Sequence, residues 1–344
     1  MTTYDVVESP DETTVFSYHD LEPPTLSDVY AARSVVSRHL PETPLVRSEF
    51  LSAELDADVY LKREDTLPTG AFKVRGGVNL CARLDEEFHD PGLVAASTGN
   101  HGQSVAYAGR EFDIPVVVAV PGDPNPDKVA AMERFGAEVH PHGRDYDDAR
   151  EWAEAQARTE GYRYVHSANE PALVAGVATA GLEVVERLPE VDTLFCPVGG
   201  GSSASGYCLT VGDIADADVV GVQSENASAM YHAWAEGHLR PREDADTYAE
   251  GLQSRVPFAL TTEMLREGLS EMVLVSDDRI EDAVETMLRE EHLLLEGAAC
   301  AAVAAALERG DELAGQTVVL QVSGRNLAAS KLEAAVCGEG GRSE

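Results

Sequence analysis

Lysine is the scarcest charged residue in this chain. Only four lysines occur in 344 residues, and arginine supplies the other 22 of the 26 basic side chains. Acidic residues outnumber basic ones by 61 to 26, so the formal net charge is −35. A nucleic-acid surface needs clustered Lys and Arg to meet phosphates, and this composition excludes a broad surface of that kind.

The acidic residues are spread along the whole chain rather than gathered in one tail. A surface of this kind repels itself unless concentrated salt screens the charges. Together with the scarcity of lysine, the pattern is typical of a cytosolic protein from a halophile, and we predict that source. An acidic protein from a mesophile is the alternative.

Three further absences limit the class of protein. The five cysteines are odd in number and widely spaced, with no C-x-x-C pair, which is typical of reduced thiols rather than of disulfides or a zinc site. The opening MTTYDVVESPDETTVF has no basic start and no apolar core, so it predicts no signal peptide. No apolar run approaches the roughly 18 residues of a membrane span. We therefore predict a cytoplasmic protein with neither a membrane nor a nucleic-acid partner.

From Thr25 onward, short apolar runs alternate with helical patterns. The segment LSDVYAARSVVSRHL has apolar residues at helical spacing after a serine cap, Ser27. Runs such as GLVAAS and PVVVAV are typical of buried parallel strands. In the second half, VDTLFCPVGGGSSASGYCL predicts a strand, a glycine turn and a helix. The alternation predicts a doubly wound α/β fold, and the length allows about two domains.

Four short segments at strand–turn boundaries form the candidate site, where open α/β sheets place their ligands. GAFKVRGG contains Lys73 between two apolar residues. ASTGNHGQS predicts a polar turn into a helix, whose N–H groups would face an anion such as a carboxylate. PVGGGSS would let several amides converge on a phosphate. VSGRN offers a hydroxyl group at the end of the last strand.

Lys73 is a candidate for chemistry that arginine cannot perform. Its neighbours Phe72 and Val74 are apolar, and desolvation favours the neutral amine, which is a nucleophile. Taken singly, each segment also has a structural explanation: a snorkelling surface lysine, a tight turn or a helix cap. Their joint occurrence favours a binding site, although the glycine segment matches neither common nucleotide-binding motif.

The four segments, with EPALVAGVATAGLEV and TYAEGL, resemble the pyridoxal-phosphate enzymes of the tryptophan-synthase β fold, called fold type II. Within that fold the chain is most similar to the threonine/serine dehydratase and serine racemase branch. The resemblance extends from about Thr25 to Glu333. It implies two open, doubly wound sheets with pyridoxal 5'-phosphate in the cleft between them, and a homo-oligomer, either a dimer or a tetramer.

We also predict the domain limits. Residues 1–23 would form an acidic extension that is packed on the surface or partly disordered. Residues 24–91 and 169–344 would form a large, discontinuous cofactor-binding domain, and residues 92–168 a small domain.

Carried over position by position, the resemblance implies a role for each motif residue. Lys73 would be the catalytic residue, forming an imine with the cofactor and later serving as a base, and Phe72 would lie beside the pyridine ring. Asn100 would hydrogen-bond the 3′ oxygen of the cofactor, and Ser323 would meet the pyridine nitrogen. The phosphate would be held by Gly199, Gly200, Gly201 and Ser202. The substrate-binding residues would be Ser97, Thr98, Asn100 and His101.

Departures from the family pattern bear on the reaction. Val74 stands where β-replacement and threonine-synthase relatives usually have Asp, which favours the dehydratase–racemase branch. Thr98 stands where dehydratases usually have Ala and racemases have the Ser that serves as second base, so racemisation stays open. We predict an ammonia-lyase that converts L-threonine, L-serine or both to the 2-oxo acid and ammonia. The alternatives are a racemase or β-replacement enzyme on the same site, or an inactive pyridoxal-phosphate-binding protein.

Three more departures concern side chains around the site. Gln223 and Ala229 stand where racemase-like relatives usually have the Glu and Asp of a divalent cation site, so we predict no metal. Glu296 could lie near the cofactor ring or simply cap a helix. Arg325 replaces a more usual Gly, which would place it beside the cofactor pocket, and the sequence assigns it no role.

Overall fold

The computed structural model describes residues 21–144 and 146–337, and two β-sheets organise that part of the chain. The strands are β1 (Leu45–Arg47), β2 (Asp58–Arg63), β3 (Leu93–Ala96), β4 (Val116–Val120), β5 (Glu138–Pro141), β6 (Arg163–Tyr164), β7 (Thr193–Pro197), β8 (Asp218–Ser224), β9 (Glu271–Val275) and β10 (Thr317–Val322). The six-stranded sheet has the order β1-β2-β10-β7-β8-β9, and the four-stranded sheet has the order β5-β4-β3-β6.

Helices connect and cover the strands. They are α1 (Leu26–His39), α2 (Glu49–Leu55), α3 (Val74–Cys81), α4 (Asn100–Glu111), α5 (Pro126–Arg134), α6 (Tyr146–Glu160), α7 (Pro171–Arg187), α8 (Ser202–Tyr207), α9 (Asp213–Ala215), α10 (Ala229–Glu236), α11 (Ala259–Gly268), α12 (Asp277–Glu290), α13 (Gly297–Arg309) and α14 (Ala329–Cys337). Within the described ranges, no helix is long and apolar enough to cross a membrane.

Parallel pairing dominates both sheets. In the large sheet only the β1–β2 pair is antiparallel, and every pair in the small sheet is parallel. The predicted α/β fold with two open sheets is therefore confirmed. In such sheets, ligands bind at the carboxyl ends of the strands.

Some local details differ from the sequence prediction. The cap of α1 is Thr25, because its hydroxyl accepts the Asp28 N–H while the Asp28 carboxylate accepts the Thr25 N–H at 2.8 Å; Ser27 lies inside the helix. Strands β1, β6 and β9 were not predicted. The first two span only three and two residues, too few to show an alternating pattern.

The apolar core around the small sheet extends beyond residues 92–168. Val36 of α1 and Val74 and Val78 of α3 share one buried cluster with Leu93 of β3 and Val116 of β4. Helix α3, which carries the glycines after Lys73, thus packs on the small sheet. The predicted domain limits stay a prediction, and most of the predicted extension, residues 1–20, lies outside the described residues.

A cluster of buried charges, the Arg75 cluster, consists of Lys62, Glu64, Arg75 and Glu183. The Arg75 guanidinium is fully buried and donates to Glu64 and Glu183 at 2.7 Å each, and the Lys62 ammonium donates to Glu183 at 2.5 Å. Burial tends to raise the pKa of Glu183, but the two neighbouring cations outweigh it and hold that pKa below its usual value. Two cations and two carboxylates compensate each other here, as buried charges must. The cluster ties β2, α3 and α7 together.

Candidate active site

A cavity of about 780 Å³ opens at the carboxyl ends of strands from both sheets. Ala96 ends β3, Pro197 ends β7 and Ser323 follows β10, and all three line the cavity. The structure brings every predicted site residue to this one cavity. Its lining includes Phe72, Lys73, Ser97, Thr98, Asn100, His101, Gly199, Gly200, Gly201, Ser202 and Ser323.

Lys73 stands just before α3, and its main chain is fixed from two directions. The Phe72 N–H donates to the Ser323 carbonyl at 3.0 Å, and the Ser104 hydroxyl donates to the Lys73 carbonyl at 2.7 Å. The amine is only loosely held: its Nζ lies 3.5 Å from the Ser167 carbonyl and 5.0 Å from the centre of the Phe72 ring. Burial lowers the pKa of Lys73 to about 8, and Glu296 opposes that shift. An appreciable fraction of the amine is therefore neutral near pH 7–8.

The turn between β3 and α4 is shaped by Ser97. Its Oγ accepts the N–H groups of Gly99 at 3.1 Å and Gly102 at 2.9 Å, which leaves its own hydroxyl hydrogen free to be donated into the cavity. Thr98 is exposed on the cavity wall. The N–H groups of the first turn of α4 have no partner within the helix and suit an anion.

The His101 side chain is less able to bind a substrate carboxylate than the sequence implied. Its Nε2 lies 2.9 Å from the Val165 carbonyl, so the ring hydrogen is on Nε2, and the buried Nδ1 has no partner among the described residues. Burial, reinforced by Lys73, lowers the pKa of His101 to about 4, so the ring is neutral. The ring therefore presents an acceptor, and His101 can meet a carboxylate only through its main-chain N–H.

Three side chains form a hydrogen-bonded row along one wall of the cavity. Asn326 donates to Asn100 Oδ1 at 2.6 Å, and Asn100 Nδ2 donates to Glu296 Oε1 at 2.8 Å. This row fixes which end of the Asn100 amide is the donor, and leaves Nδ2 one further hydrogen. Asn326 was missed in the sequence analysis, although it is the last residue of the VSGRN segment.

Glu296 belongs to the site rather than to a helix cap. It precedes α13, but its side chain makes no capping hydrogen bond. Gly324 makes room for the carboxylate, because a Cβ at that position would lie 2.1 Å from Glu296 Oε1. Burial raises the pKa of Glu296 to about 7, and the hydrogen bond from Asn100 opposes the shift. The sequence had left both possibilities open.

The glycine segment after β7 is crowded and could not carry side chains. A Cβ on Gly199 would lie 2.4 Å from the Gly251 carbonyl oxygen, and Gly201 has a φ of +87°. Ser202 then begins α8, whose first N–H groups have no intrahelical partners. A bare backbone turn of this kind fits a phosphate.

The predicted cofactor fits these residues. Pyridoxal phosphate carries an aldehyde, a phosphate and a hydroxyl oxygen attached to its pyridine ring. The cavity offers a partly neutral amine at Lys73, a glycine turn at Gly199–Gly201 and an oriented amide donor at Asn100. The assignment of each of these residues to its part of the cofactor stays a prediction.

Gln223 and Ala229, which stand where racemase-like relatives usually have cation ligands, have structural roles at α10. The Gln223 Oε1 accepts the Tyr231 N–H at 2.9 Å, so the buried Gln223 supports the first turn of α10, and Ala229 begins that helix. Among the residues described, no group of three or more His, Cys, Asp or Glu could hold a metal ion. Arg325 lies beside Gly70, to whose carbonyl its N–H donates at 2.9 Å, and is not part of the cavity lining.

Known proteins share this architecture. The chain is 36% identical over 304 residues to an L-threonine ammonia-lyase of Thermotoga maritima, which covers 88% of this chain and 76% of that protein. The processed form of threonine deaminase isoform 2 from Solanum lycopersicum superposes with a TM-score of 0.86 at 29% identity, covering 92% of this chain and 90% of the other. A serine racemase from Dictyostelium discoideum gives a TM-score of 0.82 at 28% identity, covering 89% and 99%.

The family model described as pyridoxal-phosphate dependent enzyme matches residues 36–324. This span holds the amine, the polar turn, the glycine segment and Ser323. The prediction of an enzyme that uses pyridoxal phosphate is confirmed, and the chain belongs to the pyridoxal-phosphate dependent enzyme family.

Proposed function

We propose that this protein is an ammonia-lyase that converts L-threonine, L-serine or both to the 2-oxo acid and ammonia. The observation that carries the proposal is the partly neutral Lys73 amine, placed in one cavity with the glycine turn and the polar turn of α4. The names of the relatives in Thermotoga maritima and Solanum lycopersicum support the same reaction.

Each residue group would have a distinct task. The bound cofactor supplies an electron sink for the substrate Cα. The Lys73 amine, as a base, takes the Cα proton, and the N–H groups of α4 with the Ser97 hydroxyl orient the carboxylate. The Asn100–Glu296 pair orients the ring, and the glycine turn holds the phosphate. Loss of the Cα proton and the β-hydroxyl as water leaves an enamine, which hydrolyses to the oxo acid and ammonia.

The direct test is a substrate panel. We expect the purified protein, supplied with cofactor in concentrated salt, to release equal amounts of oxo acid and ammonia from L-threonine or L-serine. Formation of neither product from any β-hydroxy amino acid, with the cofactor bound, would contradict the proposal.

Racemisation is the second candidate, and the exposed hydroxyl of Thr98 favours it. A racemase needs a proton donor on the face of Cα opposite the first base. Thr98 lines the cavity in the turn between β3 and α4, which is proposed to bind the substrate carboxylate. The β-methyl group of Thr98 restricts χ1 and makes it bulkier than Ser, so we expect poor proton delivery and more oxo acid than D-isomer.

Substitution of Thr98 separates the two reactions. We expect Thr98→Ala to retain elimination within about tenfold of the wild type, about 1.4 kcal/mol in barrier, because elimination needs no second base there. Thr98→Ser is the matched variant that keeps a hydroxyl. Chiral chromatography beside an oxo-acid assay gives both rates. If the D-isomer forms faster than oxo acid in the wild type and disappears in Thr98→Ala, the enzyme is a racemase.

We further propose a cytoplasmic homo-oligomer, a dimer or a tetramer, from a halophile. The charge of −35 and the four lysines support the salt-adapted origin. Sedimentation in concentrated salt measures the oligomeric state, and a monomer would contradict the proposal.

Salt should stabilise the fold. Between 0.01 M and 1 M salt the screening length falls from about 30 Å to about 3 Å, which removes most of the repulsion between surface carboxylates. We expect Tm to rise by at least about 5 °C over this range, since one kcal/mol is worth a few degrees in a large domain. Calorimetry of the cofactor-loaded protein measures the shift, and an unchanged Tm would overturn the halophile proposal alone.

A further inference from the structure

One wall of the cavity is a segment with almost no regular secondary structure. Residues 243–256, here called the strap, lie between α10 and α11, and their only helical part is the short turn Glu250–Leu252. The strap packs on the glycine turn, since a Cβ on Gly199 would lie 2.4 Å from the Gly251 carbonyl. It also packs on α13, since a Cβ on Gly297 would lie 2.9 Å from the Tyr248 ring. Its position therefore decides whether the glycine turn is covered.

Asp277, which follows β9 of the six-stranded sheet, holds the strap on that side of the cavity. The Asp277 carboxylate accepts the Thr247 hydroxyl at 2.6 Å and the Tyr248 N–H at 2.8 Å. These bonds lie next to α12, of which Asp277 is the first residue. They hold one part of the strap but make no connection across the cavity.

Two of the four lysines in the chain bind a single carboxylate on the strap, Glu250. The Lys128 ammonium binds Glu250 Oε2, and the Lys331 ammonium lies 3.1 Å from Glu250 Oε1 and donates to the Tyr248 carbonyl at 2.5 Å. All three charged residues line the cavity. Burial raises the pKa of Glu250, but the two lysines outweigh it and the net shift is downward, so Glu250 is ionised at neutral pH.

The two lysines come from separate parts of the fold. Lys128 is on α5, which packs on α4 and β5 of the small sheet, and Lys331 is on α14, which packs on α12. Glu250 lies 122 residues from Lys128 along the chain. The Lys128–Glu250 pair thus joins the small-sheet side to the strap across the cavity.

Isolated surface ion pairs contribute little, but this group differs from them. The side chains of Lys128 and Lys331 are 21% and 24% exposed and that of Glu250 is 40% exposed, and the two lysines share this one carboxylate. Lysine provides a compact ammonium with three donors. This group suits the two partners of Lys331, the Tyr248 carbonyl and the Glu250 carboxylate, better than the planar guanidinium of arginine does. In a chain that uses arginine almost everywhere else, two lysines at one glutamate indicate a requirement at that place.

We propose that Lys128, Glu250 and Lys331 form an ionic clamp that holds the strap over the glycine turn and ties it to α5. Closing the clamp retains the cofactor and limits access to the cavity. These residues act as positioning residues, and their role does not depend on which amino acid is the substrate.

The first test measures how long the cofactor is retained. Glu250→Gln keeps the size of the side chain and removes its charge, and Lys128→Gln removes the charge with a shorter side chain. Glu42→Gln is the matched control. The Glu42 side chain is 45% exposed, pairs with Arg187 and lies outside the cavity lining. After dilution of the loaded protein, we expect release of pyridoxal phosphate, followed by fluorescence, to be at least tenfold faster in the two clamp variants than in the wild type or Glu42→Gln. The double variant should resemble Glu250→Gln, since both changes break the same pair.

The second test uses the protein without cofactor. We expect hydrogen exchange of the strap and of α5 to become at least tenfold faster in Glu250→Gln, and exchange of the buried strand β8 to stay unchanged. Release and exchange rates within twofold of those of Glu42→Gln would overturn the clamp. If the wild type bound no cofactor, the proposed function would fail, and the exchange measurement would still decide for or against the clamp.

Discussion

Lys73→Ala is expected to lower kcat/KM for oxo-acid formation by at least about 10⁴-fold, or about 5 kcal/mol in barrier, while the protein stays folded. In the proposed mechanism the amine both bonds to the cofactor and takes the Cα proton. Its Nζ makes one long hydrogen bond, at 3.5 Å to the Ser167 carbonyl, and lies 5.0 Å from the centre of the Phe72 ring, so its removal takes little from the fold. An oxo-acid assay and thermal unfolding, run on the same preparation, measure the two effects.

Lys73→Arg is the matched variant, because arginine keeps the positive charge but cannot lose its proton. We expect it to be as inactive as Lys73→Ala. In the wild type, borohydride should reduce the bond between lysine and cofactor, and peptide mapping should find the label on Lys73. A label on another lysine, or activity above one tenth of the wild type in both variants, would contradict the assignment of Lys73.

The second large effect concerns stability. We expect Arg75→Met to lower the free energy of unfolding by about 3–5 kcal/mol, the range for breaking a buried ion pair from one side. Glu64 and Glu183 would then share only Lys62, and one carboxylate would be left buried without a compensating cation. Urea unfolding in concentrated salt measures the loss. Arg187→Met is the control, since the Arg187 side chain is 55% exposed and pairs with Glu42 at the surface; we expect a loss below about 1 kcal/mol.

The stability of the wild type and of Arg75→Met should also converge at low pH. The pKa of Glu183 is lowered in the folded wild type, so its ionisation contributes stability above the unfolded pKa, and that contribution is lost as the pH falls. In Arg75→Met the same carboxylate gains little from being ionised. A difference between the two proteins that stays constant as the pH falls from 7 to below the lowered pKa of Glu183 would show that the charges of the Arg75 cluster are not the cause.

The residues that the sequence singled out line a common cavity because they lie in local segments. Lys73 and its glycines, the turn from Ser97 to His101 and the three glycines after β7 each lie within fewer than ten residues. Each segment follows a strand or opens a helix, and parallel sheets bring such ends together. The alternation of apolar runs and helical patterns was sufficient to predict the fold, although the strands β1, β6 and β9 were missed.

Contacts between distant residues could not be predicted in this way. The row from Asn326 through Asn100 to Glu296 joins residues 226 and 196 positions apart. The Arg75 cluster and the Glu250 clamp also depend on side chains that the fold alone brings together. For Glu296 the local pattern before a helix suits either a cap or a ligand, and only the missing capping bond and the space at Gly324 decide. The orientation of the His101 ring depends on a carbonyl 64 residues away.

The placement of the four lysines has a consequence for amine-directed reagents. Lys62 is fully buried in the Arg75 cluster, and Lys73, Lys128 and Lys331 all line the active-site cavity. An acylating dye or an amine cross-linker therefore finds almost no ordinary surface target among the lysines of the described residues. Among these lysines, in the protein without cofactor, the reaction is steered to the cavity, where the Lys73 amine is partly neutral, so a label at lysine would report on the active site.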